Sequence, residues 1–289
     1  MTPVGAPFFI MEENILIDLD NLLEQKFGDK ARHFPRFVRH YLKRILHIDS
    51  VNEIIQKSNG LTGWRFAQFT LQYLNIDIVV EGAENLPEHN NLIFVSNHPL
   101  GGPDGLALAS FLGNRYNDNI ILPVNDFLMF VKPLGPLFLP INKVGAQSRN
   151  LPDRINSVME TDSNIILFPA GICSRKIDGE IKDLPWTKMF VRKSVEYGRD
   201  IVPIYFFGKN SPRFYFLDRL QKFLGIKFSI PMVFLVDEMF RHRNKQFKFI
   251  IGNPVSYTIF DRTKTPAQWA SHIRNMVYEL KRKYSDGDK

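Results

Sequence analysis

Residues 97–105 read Asn-His-Pro-Leu-Gly-Gly-Pro-Asp-Gly, setting an imidazole (His98) and a carboxylate (Asp104) six positions apart among glycines and prolines. A histidine with an ordinary pKa of about 6.5 can take a proton from a hydroxyl near neutral pH. A carboxylate beside it would fix the ring tautomer and stabilise the imidazolium that forms. The same pair also suits a plain loop, with His98 on the surface and Asp104 capping the next helix. Metal ligation fits less well. No second histidine lies nearby, the other six standing at 33, 40, 47, 89, 242 and 272, and a metal needs several converging ligands.

The flanking residues say where the pair would sit. Residues 91–96 (Asn-Leu-Ile-Phe-Val-Ser) have the pattern of a buried strand, and residues 105–113 after the turn have helical composition. A strand-to-helix crossing is the usual address for a site in an α/β sheet. Further β-branched or aromatic runs recur at 76–80, 119–124, 164–168, 201–206, 232–237 and 247–251, with helical spacing between several of them, as at 187–197. Near-continuous apolar strands alternating with helices predict an α/β fold, a mostly parallel central sheet flanked by helices. Residues 14–75 read as helices. The expected organisation is a helical segment at 1–75, an α/β domain at 76–260, and a C-terminal helix within 261–289 packed on that domain. Thr265, Pro266 and Gln268 supply the cap, first position and capping box of that last helix.

At residues 34–47, Phe34, Phe37, Val38, Tyr41, Leu42, Ile45 and Leu46 form an apolar stripe opposite Arg36, Arg39, His40, Lys43, Arg44 and His47. Such a helix suits a membrane interface, with its cations meeting lipid phosphates, and equally a surface helix covering a core. With 289 residues, 44% of them hydrophobic, the chain can bury a substantial core. Its net charge of +7 favours acidic partners, such as anionic headgroups, phosphorylated cofactors or acidic carrier proteins. No zinc-finger spacing or RNA-binding signature points to nucleic acid. A single cysteine, Cys173, excludes an internal disulfide and suits a reducing compartment. The first residues lack a secretory pattern, and no window is long and apolar enough to span a bilayer. The nearest approach, 127–141, is short, proline-broken and interrupted by Lys132.

Four ordered segments carry a resemblance: residues 96–105, 134–145, 167–176 and 201–208. They are similar to the four blocks of the glycerolipid acyltransferase family, which includes glycerol-3-phosphate and 1-acylglycerol-3-phosphate acyltransferases. The likeness spans residues 76–260, and the order and spacing of the segments make it specific. The resemblance implies His98 as catalytic base and Asp104 as the carboxylate that orients it. Asn97 in the first block, Gly135, Phe138 and Lys143 in the second, Phe168, Pro169, Gly171, Ser174 and Arg175 in the third, and Pro203 in the fourth would bind or shape the acceptor. It further implies an acyl thioester donor on coenzyme A or acyl carrier protein, a lysolipid acceptor, no metal and no permanently bound cofactor. The setting would be peripheral, on the cytoplasmic face of a bacterial inner membrane. Backbone amides of the Gly101-Gly102 turn are candidates for holding the oxyanion. No Ser or Cys adjoins His98 in sequence, which favours direct transfer over an acyl-enzyme.

Three departures stand out. Five residues separate His98 from Asp104 where the family has four, an insertion the Gly101-Gly102 turn could absorb. In the third block Ala170, Ile172 and Cys173 replace the usual glutamate, threonine and arginine, leaving Ser174, Arg175 and Lys176. In the second, Lys143 offers a point charge where an arginine would grip in a planar fork. These changes resemble a branch of bacterial enzymes that complete amino-acid-containing lipids such as ornithine or glycine lipids. A carboxylate headgroup there could meet Arg175 bidentately; 1-acylglycerol-3-phosphate stands level with it as acceptor. The broken blocks also leave room for a non-catalytic lipid-binding protein that keeps the fold. Cys173 reads as a small buried filler, and Trp186 and Lys188 as a frame for the acceptor entrance or as packing. Residues 241–245 read as a solvated hairpin turn.

Overall fold

The structure is a computed structural model describing residues 16–141, 151–225 and 230–285. Four helices lead: α1 (Leu19–Phe27), α2 (Arg36–Ile45), α3 (Ile48–Lys57) and α4 (Gly63–Tyr73). They are followed by β1 (Asp77–Glu81), β2 (Ile93–Ser96), α5 (Gly102–Arg115), β3 (Ile120–Val124), β4 (Phe138–Pro140), α6 (Leu151–Met159), β5 (Asn164–Leu167), β6 (Arg175–Ile177) and β7 (Glu180–Lys182). The chain continues through α7 (Met189–Tyr197), β8 (Ile201–Phe206), α8 (Pro212–Phe223), α9 (Ile230–Val233), α10 (Leu235–Arg241), β9 (Gln246–Ile251) and α11 (Pro266–Ser285).

Among the described residues the main sheet has seven strands in the order β1-β9-β8-β2-β5-β3-β4. Every neighbouring pair is parallel except β8 and β9. Successive strand residues point to opposite faces, and here both faces are covered. Phe94, Ile166, Val202, Ile204 and Phe249 pack with Leu71 and Leu74 of α4 and just beyond it, and with Leu108 and Leu112 of α5. Their alternates Ile93, Val95, Ile165, Leu167 and Ile201 pack with Phe190 of α7 and with Ile273 and Val277 of α11. Burial on both sides is why these strands read as unbroken apolar runs. Helix α4 comes close to α5 because Gly113 has no side chain: a Cβ there would lie 2.3 Å from Trp64 Cβ. The α11 cap forms as expected, with Thr265 N–H donating to Gln268 Oε1 at 2.8 Å and Gln268 N–H to Thr265 Oγ1 at 3.3 Å.

Residues 232–237, expected as a strand, are helical, lying across α9 and α10. Phe234, Glu238 and His242 recur at a spacing of four and are all buried. Two of these inward positions are polar, so the helical period did not show as hydrophobicity. Residues 241–245 therefore form a helix-to-strand turn and not a hairpin. Among the described residues a hairpin is formed by β6–β7, closed by Asp178 and Gly179, both at positive φ (52° and 85°). The stretch 127–141 supplies two short 3-10 turns and the edge strand β4, and no described helix is long and apolar enough to cross a membrane.

Candidate active site

Strand β2 ends at Ser96, and the next two residues are fixed from opposite sides. The Asn97 side chain is buried; its amide donates to the Phe206 carbonyl at 2.9 Å and its oxygen accepts from the Phe206 N–H at 2.7 Å. His98 is held by its backbone, whose N–H donates to Asp183 Oδ1 at 3.2 Å and whose carbonyl accepts from Ser174 N–H at 2.7 Å. The chain then turns at Gly101, φ +88°, where a Cβ would meet Leu235 at 2.7 Å. Only glycine meets both demands, and across this turn the five intervening residues leave His98 beside Asp104.

Asp104 is fully buried in the first turn of α5. Oδ2 accepts from the N–H groups of Leu100 (3.0 Å) and Gly101 (3.3 Å), and Oδ1 from that of Gly105 (2.9 Å). Charged acceptors on backbone amides at a helix N-terminus are well stabilised. His98 Nδ1 lies 3.1 Å from the same Oδ2, with the ring N–H directed off the line between them. Capping and histidine contact are thus united in one carboxylate. Because the Gly101 amide is engaged by Asp104, it is withdrawn from any oxyanion role. The His98 ring stacks on Phe168, centroids 3.9 Å apart and planes 24° apart, and its side chain is 18% exposed. His98, Asp104 and Phe168 therefore come together.

The third block folds around a residue that no sequence pattern singled out. Asp183 Oδ1 accepts from Ser174 Oγ at 2.5 Å as well as from the His98 N–H, and Oδ2 accepts from Trp186 Nε1 at 2.9 Å. Its own N–H donates to Tyr278 Oη, and its carbonyl accepts from Arg274. Burial pushes the Asp183 carboxyl above the usual carboxylate range, against the pull of those three donors. It stands 85 residues from His98 with no motif linking them, so only the fold reveals it. Ser174 and Trp186 are buried partners of Asp183, which places both in packing.

Arg175 is likewise turned inward. Nε lies 2.9 Å from Asp218 Oδ1, Nη1 donates to the Cys173 carbonyl at 2.7 Å, and the guanidinium sits over the Phe214 ring. Burial pushes the Cys173 thiol up to about 11, so it is a neutral thiol at physiological pH. Pro169 is buried, its carbonyl accepting from Thr187 N–H, while Gly171 is exposed at φ +72°. Pro203 lies in β8 beside Val95, one residue past the point where β9 pairing ends, so its missing N–H breaks no β8–β9 bond. Gly135 and Phe138 lie at the β4 edge, three strands from β2. Lys143 lies outside the described residues. Among the described residues no three His, Cys, Asp or Glu side chains gather to hold a metal ion.

An α/β sheet presenting a histidine beside a buried aspartate at a strand-to-helix turn has the groups to take a proton from a hydroxyl, a step that acyl transfer to an alcohol requires. A family model described as acyltransferase matches residues 21–287, and the chain belongs to that family. The lyso-glycine lipid O-acyltransferase of Phocaeicola vulgatus is 48% identical over 265 residues, covering 92% of this chain and 95% of that protein. The protein of the same name from Bacteroides thetaiotaomicron is 44% identical over 265 residues, covering 92% and 97%. A crystal structure of the 1-acyl-sn-glycerophosphate acyltransferase PlsC from Thermotoga maritima matches with a TM-score of 0.45 and 19% identity, over 91% of this chain and 96% of that one.

Proposed function

We propose that this protein moves a fatty acyl group from an acyl thioester to the hydroxyl of a lyso-glycine lipid. The observation that carries the reading is the near full-length likeness to two proteins of that name, in a chain that keeps His98 in contact with Asp104. His98 takes the proton of the acceptor hydroxyl, and the oxygen attacks the thioester carbonyl. The new C–O bond forms as the C–S bond breaks, and the proton passes from the imidazolium to the departing thiolate. Asp104, held in position by three backbone amides, stabilises the imidazolium in between. The amide of Gly102, at the N-terminus of α5, is the oxyanion donor we assign in place of Gly101. With Arg175 committed to Asp218, the cation for the glycine carboxylate is Lys176, exposed on β6. The donor is coenzyme A or acyl carrier protein, and the work is done at a membrane surface, on the cytoplasmic face, where the acceptor resides.

The test is thiol release with purified protein, both donors, and lyso-glycine lipid, lyso-ornithine lipid and 1-acylglycerol-3-phosphate as acceptors. Lyso-glycine lipid should be consumed fastest. His98→Ala should fold and lose on the order of 10²–10⁴ in kcat, the span of general-base catalysis. Undiminished transfer by a folded His98→Ala protein removes the base, and preference for 1-acylglycerol-3-phosphate removes the acceptor.

A further inference from the structure

Phe37 and Tyr41, four residues apart on α2, are 74% and 50% exposed, and Arg44 shares their side of the helix. On α8, Phe216, Leu220, Phe223 and Leu224 fall within one arc, and Phe223 is 87% exposed. Arg213, three residues before Phe216, starts the same face. It donates to the Tyr41 hydroxyl at 3.3 Å, so the two apolar faces adjoin. At their junction lies a cavity of about 400 Å³ lined by Tyr41, Arg44, His47, Arg213, Asp237 and Arg241. Asp237 is the single carboxylate of that lining, and it meets His47, Arg213 and Arg241 at 3.0, 3.6 and 2.9 Å. A neighbouring cavity of about 390 Å³ shares Arg241 and adds Lys209 and Lys245, so the cations continue as a band. Neither cavity is lined by His98, Asp104 or Phe168.

An uncovered apolar surface rimmed by cations marks an interaction site. A second copy of this face would set arginine against arginine, whereas an anionic bilayer complements it and accepts aromatic and leucine side chains below its headgroups. We infer that α2 and α8 form one membrane-docking face, and that the cavity between them takes the phosphate of an anionic phospholipid on Arg44, Arg213 and Arg241. Phe37, Phe216, Phe223 and Leu224 enter the acyl layer around it. The inference rests on the membrane-surface reading above and gives it a location.

Vesicle flotation without acyl donor tests it, using phosphatidylcholine alone or with phosphatidylglycerol, and thermal unfolding to confirm that each variant folds. Wild type should float with phosphatidylglycerol vesicles. Each basic contact with an anionic surface is worth roughly fivefold in affinity, so Arg44→Ala with Arg213→Ala should weaken binding roughly 25-fold. Phe216→Ser with Phe223→Ser should abolish flotation. Folded variants that float like wild type would overturn this surface alone. Failure of wild type to float with any vesicle would overturn the membrane reading as well. Tight binding of inorganic phosphate that depends on Arg44, with vesicle binding that does not, would make the cavity a site for a soluble phosphate instead.

Discussion

The ion pair between Arg175 and Asp218 yields the sharpest prediction, because a headgroup ligand and an internal strut behave oppositely when removed. Their side chains are only 6% and 9% exposed, and Arg175 also lies over Phe214. Removing one partner of such a pair costs roughly 3–5 kcal/mol, mostly because the other charge is left buried. The two halves are unequal here. Asp218 keeps Lys222, whose Nζ is 2.8 Å from Oδ2, so Arg175→Ala falls near the lower bound. Asp218→Ala leaves the guanidinium with carbonyl, thiol and aromatic-ring contacts but no carboxylate, and falls near the upper bound. A chain of 289 residues unfolds with an entropy of about 0.6 kcal/mol/K. The melting temperature should therefore drop by about 5 °C for Arg175→Ala and about 8 °C for Asp218→Ala. Replacing both, as Arg175→Met with Asp218→Leu, should recover much of the loss. Scanning calorimetry reads these shifts, and acceptor KM is measured well below the transition. An Arg175→Ala protein melting within about 1 °C of wild type, with acceptor KM raised about tenfold, would refute the internal role.

Gly101→Ala should destabilise by about 1–3 kcal/mol in urea unfolding, since alanine resists the backbone angles required there and would press on Leu235; an unchanged midpoint would count against it. Cys173 should resist thiol reagents at pH 7.5 until the chain unfolds, and rapid labelling of native protein would contradict its burial. Asp183 titrates above its ordinary range in the folded protein, so ionisation costs stability above that raised pKa and nothing below the unfolded value. The melting temperature of wild type relative to Asp183→Asn should therefore rise as pH falls from 7 toward 4; a difference that falls would mean the ionised form is the favoured one.

What the sequence disclosed followed the strength of local pattern. Apolar runs covered on both faces located β2, β5 and β8, alternation of buried Phe247, Phe249 and Ile251 located β9, and the glycine-proline turn after β2 pointed to His98 and Asp104. Residues 232–237 misled because Glu238 and His242 occupy inward positions, satisfied by hydrogen bonds that a hydrophobicity pattern does not register. The β6–β7 hairpin went unread in the sequence, although Asp178-Gly179 between isoleucines is a pair that favours positive φ. Arg175 and Ser174 were read as ligands because nothing in the chain announces Asp218 or Asp183 as their partners. Pairings between distant polar residues leave no period to detect.

The pair of hydrogen bonds between Asn97 and the Phe206 backbone has a mechanical consequence. A side-chain amide there stands in for a peptide group, carrying the ladder one rung past the last residue of β2. The segment bearing His98 is thereby stitched to the centre of the sheet at its root. Loosening it requires parting β2 from β8, an event belonging to the cooperative unfolding of the whole core. Heat should then silence the histidine and melt the sheet in one transition, and the Phe206 amide should be among the last in the molecule to exchange with solvent.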